Sequence, residues 1–169
     1  IMFSHFAEDA GRDERPFDLS MQLPARAWPE PARLQQLLQK LNAAKRPVLI
    51  GGHGVWWAKA EAKLEEAGRL LGIPVFNIPY HQKLLGEECE AYMGLADIHQ
   101  YHPSADAFRD ADLVLMVGGR LDNQMNFGNP PLFPSSAELL CVNGSHEEIE
   151  FNRAADFALL CDPAAFLET

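Results

Sequence analysis

The sequence lacks any apolar run approaching the ~20 residues that span a bilayer, and it shows no signal-peptide pattern. Cysteine is sparse. Cys89, Cys141 and Cys161 form no Cys-x-x-Cys pair and sit at no zinc-like spacing. An unpatterned, odd count of this kind fits a reducing, cytoplasmic setting better than a disulfide scaffold. Basic residues are outnumbered, 14 Lys and Arg against 24 Asp and Glu, for a formal net charge of -10. That balance argues against nucleic acid and anionic membrane surfaces, both of which call for a basic face. No Gly-x-Ser-x-Gly elbow and no His-Glu-x-x-His pair occurs. His99 and His102 flank Tyr101 with no further ligands at a familiar spacing, so no metal site is expected. Taken together, these absences leave the chain with no catalytic constellation of its own.

What is present is a regular alternation. The chain has 169 residues, 47% of them hydrophobic, a size that suits one domain. Residues 1–29 differ from the rest. A charged run, Ala10 to Arg15, precedes Pro16, Pro24 and Pro29, which reads as a linker with one short strand at Phe17 to Met21. The first residue is Ile1, which leads us to expect either a piece of a longer polypeptide or an edited amino terminus. From residue 30 to 169 the pattern is that of a single domain. Leu34, Leu37, Leu38, Leu41 and Ala44 recur at helical spacing behind Pro31, a first-turn proline. Pro47 to Ile50 reads as a strand, and Trp57, Ala60, Leu64, Ala67 and Leu71 as one face of a second helix ended by Gly72. Ile73 to Phe76 is the next strand, and Asn77 to about Tyr101 is irregular. A short helix from Ser104 to Asp110 precedes the strand Asp112 to Val117, and a proline-bearing loop follows. Glu138 to Val142 and Phe157 to Leu160 are the last strands, separated by a turn or two of helix at His146 to Phe151, and a helix opens at Pro163. Strands alternating with helices predict an α/β fold: a doubly wound, mostly parallel, Rossmann-like sheet.

Ligands of such sheets bind beyond the carboxyl ends of the strands, where the strand order reverses. The residues that follow each strand are therefore the candidates. Gly51-Gly52-His53-Gly54 leads from the first strand into a helix. It is either a tight turn or a place where backbone amides approach a phosphate, and it is not the full Gly-x-Gly-x-x-Gly fingerprint. Arg120 and Asp122 follow Gly118-Gly119. The arginine could grip a phosphate with Asp122 ordering it or accepting from a ribose, or the two could form a plain surface ion pair. Asn143 replaces the carboxylate that could accept from ribose hydroxyls, and Asp162 either contacts a base or sugar or, the favoured reading, caps the helix at Pro163. Of the pair Trp56-Trp57, one ring is expected on the core and the other at a domain or subunit face.

These segments carry a resemblance. Ala44 to Gly52, Leu71 to Val75, and Ala111 to Arg120 with its aspartate-strand-glycine-arginine order resemble the central domain of thiamine diphosphate-dependent enzymes. Glu148-Ile149 and Asn152 to Asp156 resemble the turn before that domain's last strand. The likeness covers about residues 30 to 168 of a family that includes acetohydroxyacid synthase, oxalyl-CoA decarboxylase and 2-hydroxyacyl-CoA lyase, and Asp122 to Gly128 looks closest to the synthase and acyl-CoA lyase branches. The resemblance implies a domain that holds FAD or an ADP-like group in some branches and is a spacer in others. Its cofactor contacts would fall on Gly51, Gly52, His53, Gly54, Arg120, Asp122, Asn143 and Asp162. Asn143 and Ser145 stand where members carry acidic residues, and Gly94 to His99 replaces the Met-His-Gly segment of the flavin-holding synthases. The Gly-Asp-Gly run that binds the diphosphate and Mg²⁺ does not occur. By resemblance, thiamine diphosphate and Mg²⁺ therefore belong to the parent enzyme, and the partners are its amino- and carboxyl-terminal domains; an apolar face left uncovered without those domains predicts a homo-oligomer. Two alternatives stand beside this reading: a stand-alone nucleotide- or flavin-binding module, and a structural spacer with an empty crevice.

Overall fold

The computed structural model describes residues 25–79, 84–97 and 104–169. The strand expected at Phe17 to Met21 and the histidines at 99 and 102 lie outside the described residues, as does most of the linker assigned to residues 1–29. Residues 25–30 carry no regular element. They run beside the end of the chain, where the Ala27 carbonyl accepts from the Asp162 amide at 2.8 Å.

Helix α1 (Pro31–Ala43) begins with proline at its first turn, and the Glu30 carboxylate caps it by accepting from the amides of Ala32 and Arg33 at 3.0 and 2.9 Å. Strand β1 (Pro47–Gly51) follows, then α2 (His53–Trp57) and α3 (Glu61–Leu71), which ends on Gly72 with φ at +64°. The sequence reads one helix across this region, but the structure breaks it. Lys59 adopts φ of +54°, and the turn there lets Val55, Ala60 and Leu64 all reach the core. A straight helix from His53 would not keep those residues on one stripe.

Strand β2 (Val75–Asn77) pairs with β3 (Tyr92–Leu95), which sequence reasoning left inside an irregular segment. β3 is a half-buried edge strand containing Gly94, so it offers no apolar run to recognise. Buried Asn77 fixes the approach to it: its amide donates to the Leu85 carbonyl at 3.0 Å, and its side-chain oxygen accepts from the Leu85 amide at 3.3 Å. Helix α4 (Ser104–Arg109), strand β4 (Leu113–Val117), a 3-10 turn at Asn123–Gly128, β5 (Glu138–Asn143), α5 (His146–Ile149), β6 (Phe157–Leu160) and α6 (Pro163–Leu167) complete the order.

The six strands form one sheet in the order β3-β2-β1-β4-β5-β6, every pair parallel. Because side chains alternate across a strand, each central strand feeds two cores. Leu49, Leu113, Leu115, Val117, Leu140, Val142 and Leu159 face α1, α3 and α6. Val48, Ile50, Val114, Met116, Leu139 and Cys141 face Phe76, Phe108, Phe133 and Ile149 on the other side. This is why these strands read as continuous apolar runs. The order reverses between β1 and β4, the switch point at which an open parallel sheet leaves a crevice.

Candidate functional site: the crevice between β1 and β4

At the switch point the loops after β1 and β4 meet backbone to backbone. The Gly52 amide donates to the Val117 carbonyl at 2.8 Å, and the Gly54 amide donates to the Gly118 carbonyl at 2.7 Å. A Cβ on Gly52 would stand 2.3 Å from the Gly118 oxygen and from Gly119 Cα. A Cβ on Gly54 would stand 2.8 Å from Gly118 Cα, and Gly118 itself has φ of +65°. A Cβ on Gly51 would fall 2.3 Å from a Leu64 methyl. These glycines are therefore required by the contact of one loop with the other and with α3. The amides of Gly52 and Gly54 are spent on that contact and are not turned toward a phosphate.

Beside this seam lies a cavity of about 380 Å³ lined by His53, Gly54 and Trp57 from α2, Gly118, Gly119 and Arg120 after β4, and Asn143 and Glu148 from the β5–α5 region. His53 is half-buried at the first position of α2. Asn143 is nearly buried, and its two ends tie the floor together: Nδ2 donates to the Gly119 carbonyl at 3.0 Å, and Oδ1 accepts from the Ser145 amide at 3.1 Å. A carboxylate at 143 would have no hydrogen to give Gly119, which is a physical reason for an amide at this position.

Arg120 is the cation at the mouth. The sequence pairs it with Asp122, whereas in the structure it reaches Glu148, Nη1 to Oε1 at 3.4 Å, and its guanidinium lies 5.1 Å from the Phe151 ring centre. Asp122 instead caps the 3-10 turn by accepting from the Gln124 amide at 3.0 Å, and it does not line the cavity. That turn is held from below by Arg153, which donates to the carbonyls of Gly128 and Ala137, and by Asn152, which donates to the Leu121 carbonyl. Asp162 caps α6 through the Ala165 amide at 2.9 Å, so its carboxylate serves the helix, as the capping alternative has it. The structure thus gathers Gly54, His53, Arg120 and Asn143 at one crevice and assigns Asp122 and Asp162 to local capping.

Four crevice residues were not singled out as ligand contacts from sequence: Trp57, Gly118, Gly119 and Glu148. Trp56 packs against the core, whereas Trp57 is 75% exposed. The pair divides between inside and outside as its adjacency predicts, but the outer ring lies at the cavity rim. Beside the crevice, the Ser145 hydroxyl bonds Glu147 at 2.7 Å and holds its carboxyl below the usual range. Burial pushes the thiols of Cys141 and Cys161 up to about 12 and about 11, which keeps both protonated and inert at neutral pH.

The fold and the crevice define an open, doubly wound α/β domain with a small polar cleft at its switch point. The sequence signature described as thiamine pyrophosphate enzyme, central domain, matches residues 34–169, and the chain belongs to that family. Among curated relatives, 2-hydroxyacyl-CoA lyase 1 of Dictyostelium discoideum is 30% identical over 115 residues, 68% of this chain and 19% of that protein. Acetolactate synthase of Mycobacterium avium is 26% identical over 139 residues, 82% of this chain and 22% of that protein. A structure described as a thiamin diphosphate-dependent enzyme from Mycobacterium smegmatis superposes with a TM-score of 0.72 at 25% identity, over 86% of this chain and 28% of that one. Benzoylformate decarboxylase from Polynucleobacter necessarius shares the fold, with a TM-score of 0.69 at 21% identity over 86% of this chain and 27% of that one.

Among the described residues no three His, Cys, Asp or Glu side chains stand where they could hold a metal ion. The sequence contains no Gly-Asp-Gly run.

Proposed function

We propose that this chain is the non-catalytic central unit of a thiamine diphosphate-dependent lyase, synthase or decarboxylase. It would space and orient the domains that bear the cofactor and Mg²⁺, in a homo-oligomeric, cytoplasmic parent. Its relatives at 30% and 26% identity are a 2-hydroxyacyl-CoA lyase and an acetolactate synthase, and it spans 19% and 22% of their lengths. In such a parent the carbanion chemistry belongs to the cofactor. The observation that carries the reading is the family match over residues 34–169, which spans nearly the whole of the described domain. The stand-alone module is not favoured by that membership.

A second element of the proposal is that the crevice takes an ADP-like group. Arg120 is its cation, half exposed and held by a long surface bridge to Glu148 and by the Phe151 ring. Because the amides of Gly52 and Gly54 are already spent, the phosphate grip falls on Arg120. FAD is the less suited occupant, since the flavin would need an extended channel and the crevice is about 380 Å³.

Isothermal titration tests both parts on the full chain. Thiamine diphosphate with Mg²⁺ is expected to give no heat and no turnover of 2-hydroxyacyl-CoA or pyruvate. Saturable binding with turnover would overturn the non-catalytic reading. ADP is expected to bind, and Arg120→Ala to abolish it. Silence with ADP, coenzyme A and FAD would leave the spacer role alone standing.

A further inference from the structure

The crevice has one apolar wall. Trp57 ends α2 at the cavity rim and is 75% exposed. Its ring is braced: it meets Trp56 edge to face, with centres 4.6 Å apart and planes at 72°, and Trp56 packs on the core. An indole kept in water and yet held in place loses little conformational freedom when a second ring lies on it. The rest of the lining is polar or backbone: His53, Arg120, Asn143, Glu148 and the glycine loops. Of the large exposed aliphatic side chains, Leu38, Leu70 and Leu71 line a different cleft, between α1, α3 and α6. A lone aromatic among polar groups suits a planar ring that carries polar arms better than it suits the apolar face of a protein.

We infer that Trp57 is the specificity-determining residue of the crevice, selecting a flat ring by stacking on the base of a nucleotide whose phosphates reach Arg120. The inference rests on the nucleotide reading above and adds a residue that chooses the ring. It divides recognition between two side chains on two loops, Trp57 for the base and Arg120 for the anion. Base–aromatic stacking is sequence-tolerant but demands a flat π-face. The site would therefore take adenosine weakly, ADP more tightly, and aliphatic phosphates through Arg120 alone.

The test is a titration matrix on the full chain, read by calorimetry and by quenching of tryptophan fluorescence. The probes are ADP, adenosine and inorganic pyrophosphate, against wild type, Trp57→Ala, Trp57→Phe and Arg120→Ala. Thermal midpoints confirm that each variant folds. Trp57→Ala is expected to weaken ADP and adenosine by about tenfold, within the range that removal of a stacking ring costs. It should leave pyrophosphate unchanged, and Trp57→Phe should recover most of the loss. Arg120→Ala should weaken ADP and pyrophosphate and spare adenosine. If ADP binds wild type and Trp57→Ala equally, the inference falls while the nucleotide reading survives. If Trp57→Ala weakens all three probes alike, its role is structural and the inference falls. If no probe binds wild type, both fall together.

Discussion

At the residue scale, Gly52 and Gly72 show two different uses of glycine. At Gly72 the left-handed backbone, φ +64°, is the whole requirement, because a Cβ there would meet nothing within 4 Å. At Gly52 the requirement is space, since a Cβ would press on the Gly118 oxygen and Gly119 Cα at 2.3 Å, and both are backbone atoms that cannot swing aside. Gly72→Ala is expected to cost about 1 kcal/mol, the ordinary penalty of a left-handed L-residue. Gly52→Ala is expected to cost about 3 kcal/mol or more, because it must part the β1 and β4 loops. Urea unfolding of the two variants ranks them, and equal costs would refute the loop-to-loop account of the glycine seam. The glycine cluster was visible in the sequence, but its reason was not, because the atoms that crowd Gly52 lie on a loop far along the chain.

At the scale of elements, the amino edge of the sheet is organised by one carboxylate. Asp112, just before β4, accepts from the amides of Lys45 and Arg46 at 2.7 and 2.9 Å, tying the α1–β1 connection to the start of β4. Partial burial pushes its carboxyl up, but the two amides and the nearby Arg46 charge outweigh this and hold it below the usual range. The folded state therefore binds that proton less readily than the unfolded chain, whose value is about 3.9. The resulting stabilisation is present above about pH 4 and is lost as pH falls through the lower folded value. Asp112→Asn is expected to lower the thermal midpoint at pH 7. The gap to wild type should close as the solution is acidified below about pH 4, a trend that scanning calorimetry across pH would follow. A gap independent of pH would mean that shape, and not charge, ties the two elements. The aspartate-strand-glycine-arginine order seen in the sequence thus has a physical basis: the aspartate anchors the strand's start and the arginine stands at its end.

At the scale of the whole molecule, the sheet is covered on both faces, yet one cleft between α1, α3 and α6 remains apolar. It measures about 390 Å³, and Leu38, Leu70 and Leu71 stand exposed along it. Apolar surface of this kind tends to associate. The chain by itself is expected to show concentration-dependent oligomers in light scattering, and Leu70→Glu is expected to reduce them to monomer. A wild-type monomer at high concentration would count against self-association through this face. The alternation of helix and strand, the central apolar strands and the capping of α6 by Asp162 were legible in the sequence alone, whereas the strand order was not. The legible features depend on local propensity and on a period of two or 3.6 that neighbouring residues carry. Tertiary structure decided the rest. It broke the second helix at Lys59, recruited β3 from a segment with no apolar run, turned Arg120 from Asp122 to Glu148, and set Trp57 at the crevice. Each of these outcomes depends on which distant residues the right-handed crossovers bring together, and a one-dimensional pattern does not carry that information.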